Sequence, residues 1–210
     1  MPMLSAECRK EIIDLINREV VPAMGCTEPI AVSLCTAMAA QTLGQEPENI
    51  EVYLSPNVLK NAMGVGIPGT DMIGLPIAIA LGALVGKTAY QLEVLKDVTP
   101  EAVERGRRMI DAGRVKVGVK EGDCETLYIE ARASAAGHKA TAIISGSHTN
   151  FVYVAKDDVV EMDNRRPATA TSEQKGVELT LRKVWDFATT TPIEELRFIL
   201  EARGLNKAAA

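Results

Sequence analysis

The chain has 210 residues, long enough to bury a substantial core, with 47% apolar and 24% charged residues in the balance of an ordinary globular protein. A net charge of −5, from 28 acids against 23 bases, argues against a general nucleic-acid binder, and aromatics at 4% leave the core to Ala, Val, Ile, Leu and Met. Glu7, Arg9, Lys10, Glu11 and Asp14 interrupt any signal-peptide core. The longest apolar stretch, residues 73–85, is too short to span a bilayer, so a cytoplasmic protein is expected.

Residues 5–21 carry apolar positions Ile12, Ile13, Leu15, Ile16 and Val20 at helical spacing, with Ser5 as N-cap and Pro22 as stop. A helix over 28–43 is apolar almost all round, which predicts burial on most sides, and Gly44 ends it. Before it stands Gly25-Cys26-Thr27-Glu28-Pro29, a thiol at a helix entrance. Thr27 is expected to cap, Glu28 and Pro29 suit a first turn, and the positive end of the helix dipole favours a thiolate. A small buried cysteine is the plainer reading of the same five residues.

A short strand is expected at 50–54, a turn at Ser55-Pro56-Asn57, and a helical turn over 58–63. Residues 64–69 match G-x-G-x-x-G, but Pro68 sits where a phosphate turn needs an N–H and no βαβ unit surrounds it. A loop allowing close backbone approach is the better reading. A buried helix follows near 73–85. Thr99 and Pro100 then start another, whose Arg105, Arg107 and Arg108 sit beside Glu101 and Glu104 as a charge-paired face, and which ends near Gly113. From 115 to 162 short alternating runs at 115–119, 126–133, 139–144, 151–155 and 159–162 predict an antiparallel meander. Residues 164–175 are polar and read as a loop. Helices at 179–189 and 193–203 close the chain, and 204–210 reads as a helix without a cap. The expected class is α+β, buried helices packed on an antiparallel sheet formed mainly by residues 115–162, with a helical part over 1–113 and C-terminal helices over 177–204.

The four cysteines, Cys8, Cys26, Cys35 and Cys124, show no C-x-x-C spacing. Cys26 and Cys35, nine residues apart, point to opposite faces of any shared helix at about 100° per residue, so they cannot easily share an ion. Polar residues gather in two further places. Asn57, Lys60 and Asn61 adjoin the glycine loop. Ser145-Gly146-Ser147-His148-Thr149-Asn150 lies between two strands, either as a plain turn or as donors for a carboxylate with His148 as general base. Lys60 reads either as a surface lysine or as one aimed at a ligand. His138 lies in a turn and reads as solvent-exposed.

Taken in order, 25–29, Ser55-Pro56-Asn57 with Lys60-Asn61, 64–70, Gly74-Leu75-Pro76 and 146–150 closely resemble the iron–sulfur L-cysteine desulfidase family, grouped with the alpha chains of iron–sulfur L-serine dehydratases. The stretches 92–97 and 197–200 fit as well. The resemblance implies a [4Fe–4S] cluster held by three cysteines with one iron open, and no pyridoxal phosphate. The implied reaction eliminates sulfide from L-cysteine, or water from L-serine, to an aminoacrylate that hydrolyses to pyruvate and ammonia. By the same matching Cys26 is a cluster ligand, His148 the base with Lys60 in reserve, and Asn57, Asn61, Ser147, Thr149 and Asn150 the substrate pocket. Cys8, Cys35 and Cys124 fall in no matching motif. The expectation is therefore an N-terminal part of a longer protein, with an absent or incomplete cluster and no turnover alone, whose remaining cysteines come from a C-terminal half or a partner subunit. A small amino acid is the expected ligand, nucleic acid and membrane are not, and a homo-oligomer stays open. Two alternatives stand beside the lyase: a noncatalytic amino-acid-binding module, and a thiol enzyme using Cys26 with His148.

Overall fold

The computed structural model describes residues 4–165 and 177–209. The chain divides into two compact units, Ala23–Ala170 and the pairing of Met1–Pro22 with Thr171–Ala210. The polar stretch predicted as a loop lies largely outside the described residues.

The larger unit is built around a six-stranded sheet in the order β4-β1-β5-β6-β7-β8. Its strands are β1 (Asn49–Leu54), β4 (Val115–Val119), β5 (Tyr128–Ala135), β6 (His138–Ser145), β7 (Phe151–Lys156) and β8 (Val159–Asp163). Four strands form the expected meander, with Ala136 and Gly137, both at positive φ, turning β5 into β6. The sheet also holds one parallel pair. β1 enters the sheet between β4 and β5, so that Val52 pairs in parallel with Val117 and antiparallel with Ala131. The 60 residues between β1 and β4 supply the crossover that a parallel pair requires. The fold is thus mixed α and β, with helices on a mixed sheet.

Strand alternation decides which face the helices cover. Ile129, Ala131 and Ala133 of β5 are buried under α2 (Thr27–Leu43), which lies over β5, β6 and β7. α2 is buried nearly throughout, as its continuous apolar sequence requires. Each fully buried Leu or Ile, such as Leu34, contributes roughly 1.5–3 kcal/mol. α4 (Leu75–Val85) packs on α2 closely enough that a Cβ at Gly82 would meet the Ser33 carbonyl and lie 2.9 Å from Ser33 Cα. Ser33 Oγ closes the same seam, donating to Ala78 O at 2.8 Å. α5 (Pro100–Asp111) starts at the expected Thr99 cap and packs on α4.

Ser55 and Pro56 do not make a free turn. Ser55 is the N-cap and Pro56 the first residue of α3 (Pro56–Ala62), because the pair that favours a turn also pre-organises a helix start. The glycine loop forms a small antiparallel hairpin, β2 (Gly66–Ile67) with β3 (Met72–Ile73), and no phosphate turn. In the smaller unit α1 (Ala6–Glu19), capped by Ser5, is tied to the 3-10 segment Ile193–Leu200 by Arg9, whose Nε donates to Glu195 at 3.0 Å. α6 (Leu181–Thr190) begins at the Thr180 cap, and α7 (Glu201–Ala209) continues the 3-10 segment where a single helix was expected. Among the described residues no helix is long and apolar enough to cross a membrane.

Candidate functional site

One end of the sheet collects most of the residues singled out from the sequence. There β1 ends, β5 begins and β6 ends, and three backbone bonds pin the connections together. Ser55 N–H donates to Tyr128 O at 3.0 Å, Gly146 N–H to Leu127 O at 3.0 Å, and Lys120 N–H to Leu54 O at 2.8 Å. Ser55 Oγ adds a bond to Thr126 O at 2.6 Å while accepting the Val58 N–H at 3.3 Å. α3 and the 145–150 loop are thereby fixed on either side of residues 126–128.

The entrance to α2 comes to α3 through a residue the sequence reading valued only as a helix starter. Glu28 Oε1 accepts the Asn61 amide at 3.1 Å, and Oε2 accepts the Cys26 thiol at 3.2 Å and the Thr27 hydroxyl at 3.2 Å. A lone acid in the first turn of an otherwise apolar helix was the available signal. Two expectations are corrected here. Cys26 itself, not Thr27, is the N-cap, in extended conformation and without a capping side-chain bond. The thiolate is not favoured either. Burial pushes the Cys26 thiol up, the bond to Glu28 adds to that, and the opposing backbone amide of Glu28 does not outweigh them. Burial likewise pushes the Glu28 carboxyl up, but the hydrogen bonds from Cys26, its own backbone, Asn61 and Thr27 together hold it below its ordinary value. Gly25, at φ +78°, keeps this turn close to the hairpin, since a Cβ there would stand 3.2 Å from Pro68 Cγ.

On α3, Asn57, Lys60 and Asn61 stand at i, i+3 and i+4 and are exposed, so they share the face that reaches Glu28. In the loop, Asn150 closes the turn, its Nδ2 donating to Ser145 O at 2.8 Å and its N–H to Ser147 O at 3.2 Å, so the Asn150 amide holds the loop. Ser147 is exposed, Thr149 half-buried, and His148 Nε2 is enclosed with no hydrogen-bond partner among the described residues. The structure thus joins Cys26 to Asn61 through Glu28 and sets the His148 loop at the same end of the sheet. His138 pairs with Asp157 at 2.9 Å and takes no part.

Cys35 is buried against the sheet, donating to Ala142 O at 3.3 Å, and burial pushes its thiol up to about 12. Cys124 lies in the β4–β5 connection, half-buried, and its thiol too is pushed up by burial. Among the described residues no three of His, Cys, Asp and Glu gather closely enough to hold a metal ion. Cys26 belongs to no such group among the described residues, so these residues alone do not supply the three-cysteine set that the resemblance implies.

No family model and no solved structure matches the chain. Curated relatives do. A UPF0597 protein of Bacteroides thetaiotaomicron is 60% identical over 208 residues, 99% of this chain and 48% of the relative. UPF0597 proteins of Porphyromonas gingivalis and Photobacterium profundum are 48% and 42% identical, over 99% and 93% of this chain and 49% and 46% of their own lengths. The chain therefore spans about half the length of the curated relatives it matches. These names overturn the family expected from the five motifs. Over nearly its whole length the chain is similar to proteins called UPF0597, a name that states no activity, and not to ones called iron–sulfur L-cysteine desulfidases.

Proposed function

We propose that the sheet end bearing Glu28 and His148 is part of the substrate site of a lyase acting on a small amino acid, with L-cysteine as first candidate and L-serine as second. The observation that supports this reading most is the convergence of Cys26, Thr27 and Asn61 on one carboxylate, at the end of the sheet where His148 Nε2 has no partner among the described residues. A β-elimination needs a group to take the α-proton and a group to protonate what leaves. An imidazole nitrogen without a hydrogen-bond partner suits the first task, and Lys60 on α3 is the second candidate for it. The Cys26 thiol, kept protonated beside Glu28, suits the other. In that step the α-proton goes to His148 and its electron pair forms the Cα–Cβ double bond. The Cβ–S bond breaks, and the departing sulfide takes the Cys26 proton. The aminoacrylate then takes up water and yields pyruvate and ammonia. Asn57, Asn61, Ser147 and Thr149 supply donors for the substrate carboxylate. The thiol-enzyme alternative loses ground, because a nucleophilic cysteine needs its thiol lowered and here it is raised.

The test follows pyruvate from L-cysteine and L-serine, in parallel on this chain and on the Bacteroides thetaiotaomicron relative of about twice its length, with calorimetry of amino-acid binding to both. Cluster-independent or not, pyruvate release by the relative, together with saturable binding to the chain that His148→Gln and Glu28→Gln weaken, is the expected result. Binding without pyruvate from either protein overturns the lyase in favour of an amino-acid-binding module. No binding and no pyruvate overturns the site itself.

A further inference from the structure

The face of the sheet turned away from α2 carries a second set of polar side chains that none of this chemistry uses. Alternation along β5 sends Tyr128, Glu130 and Arg132 to that face. Glu130 is only 4% exposed, unusual for a glutamate on the sheet face turned away from α2. It accepts Lys120 Nζ at 2.8 Å, the Tyr128 hydroxyl at 2.7 Å and Arg132 Nε at 2.7 Å. Its work is to hold two cations in place. The same cations, with Arg165, lie over tyrosine rings. Lys120 stands 5.3 Å from the Tyr128 centroid, Arg132 4.8 Å from Tyr53 and Arg165 4.1 Å from Tyr153. Between them opens a recess of about 420 Å³, lined by Lys120, Arg132 and Arg165 against the single carboxylate Glu130, with Asp163 pairing Arg165 from outside the lining.

We propose that this recess binds a small organic anion through a doubly charged oxyanion group, a phosphate or a pair of carboxylates. Among the described residues Lys120, Arg132 and Arg165 outnumber Glu130 and Asp163 there, and Glu51, opposite Arg132 on β1, is paired by Lys116 at 3.2 Å. Two guanidinium groups, with side chains 50% and 52% exposed, keep N–H donors beyond those given to Glu130 and Asp163, in the fork geometry that matches such oxygens. Fixing Lys120 and Arg132 beforehand on Glu130 and on the rings removes ordering cost at binding.

The experiment titrates the whole chain, labelled at arginine Nε, with sodium phosphate and separately with sodium succinate at constant ionic strength, reading Arg132 and Arg165 by NMR. Saturable shifts at both arginines with at least one of the two anions are expected, and the anion that saturates names the group. Arg165→Gln should weaken binding about tenfold. Arg132→Gln should do the same, and Lys116→Gln, on the same face but outside the recess, should leave binding unchanged. Shifts no larger than those from chloride, or an Arg165→Gln variant that binds as wild type, overturn the proposal. Because Arg165 lies past the last strand, its substitution tests the site without removing a partner of the buried glutamate.

Discussion

Glu130→Gln is the substitution that probes the polar face most directly, and its cost follows from the hydrogen bonds. Glu130 receives Arg132 on Oε1 and both Lys120 and Tyr128 on Oε2. A glutamine of the same shape can keep its carbonyl toward Lys120 and Tyr128, but its NH₂ then meets the Arg132 N–H, donor against donor. One hydrogen bond to a charged partner is lost, and Arg132, half exposed, turns toward water and recovers part of it. The expected loss is about 2 kcal/mol, within the roughly 1.5–3 kcal/mol range of such bonds. The pH dependence gives the sharper check. Burial pushes the Glu130 carboxyl up, yet the bonds from Lys120, Tyr128 and Arg132 hold it below its ordinary value. A folded pKa below the unfolded one means that the stabilisation is fully present above about pH 4.3 and is lost as pH falls through the folded value. The gap between wild type and Glu130→Gln should therefore be full at pH 7 and shrink below about pH 4. Other carboxylates titrate equally in both proteins and cancel. The measurement is urea unfolding followed at β5 and β6 amide resonances, since the one tryptophan, Trp185, sits in α6 and reports the other unit. A gap under 0.5 kcal/mol at pH 7 (roughly the noise of a surface substitution), or one that does not change with acid, would refute the account of Glu130 as a charge-paired anchor.

Glu28→Gln removes the carboxylate that raises the Cys26 thiol while leaving its burial in place, so iodoacetamide should modify Cys26 faster at pH 7 to 8 and the rate–pH midpoint should move down; peptide-resolved mass spectrometry measures this, and an unchanged rate would show that Glu28 is not its partner. Gly82→Ala gains about 1 kcal/mol of helix propensity but drives a Cβ into the backbone of Ser33, an overpacking cost of about 1–3 kcal/mol, so a net loss of up to about 2 kcal/mol is expected in urea unfolding followed by far-ultraviolet circular dichroism. A more stable variant would contradict the close approach of α2 and α4.

Local chemistry was legible in the sequence, and non-local pairing was not. Ser5, Thr99 and Pro100 start their helices and Gly44, at φ +80°, ends α2 because a cap or a left-handed residue acts within one turn of chain. The place of β1 between β4 and β5 depends on strands some 65 and 80 residues away (roughly the separations of Val52 from its two partners), and no local signal encodes that. At the candidate site, Cys26 and Asn61 were found as separate polar residues, while the group joining them, Glu28, was credited only with starting a helix. Its second role exists only once α3 folds back on the entrance to α2.

The polar face carries the same lesson further. The alternation Tyr128, Ile129, Glu130, Ala131, Arg132, Ala133 plainly assigns alternate residues to opposite faces, and its apolar half was enough to predict a half-buried strand. Read alone, its polar half looks like solvated surface, and by composition Glu130 belongs there. Its company includes other segments: Lys120 from beyond β4, and its register partners Tyr53 on β1 and Ile143 on β6. A carboxylate withdrawn from water needs cations and hydroxyls at hand, and here Tyr128 and Arg132 stand two residues to either side on β5 itself while Lys120 arrives from beyond β4. An acid flanked by an aromatic and a cation at alternate positions of a strand is therefore a feature to weigh in sequence, because the strand pleat places all three on one face before any tertiary contact forms.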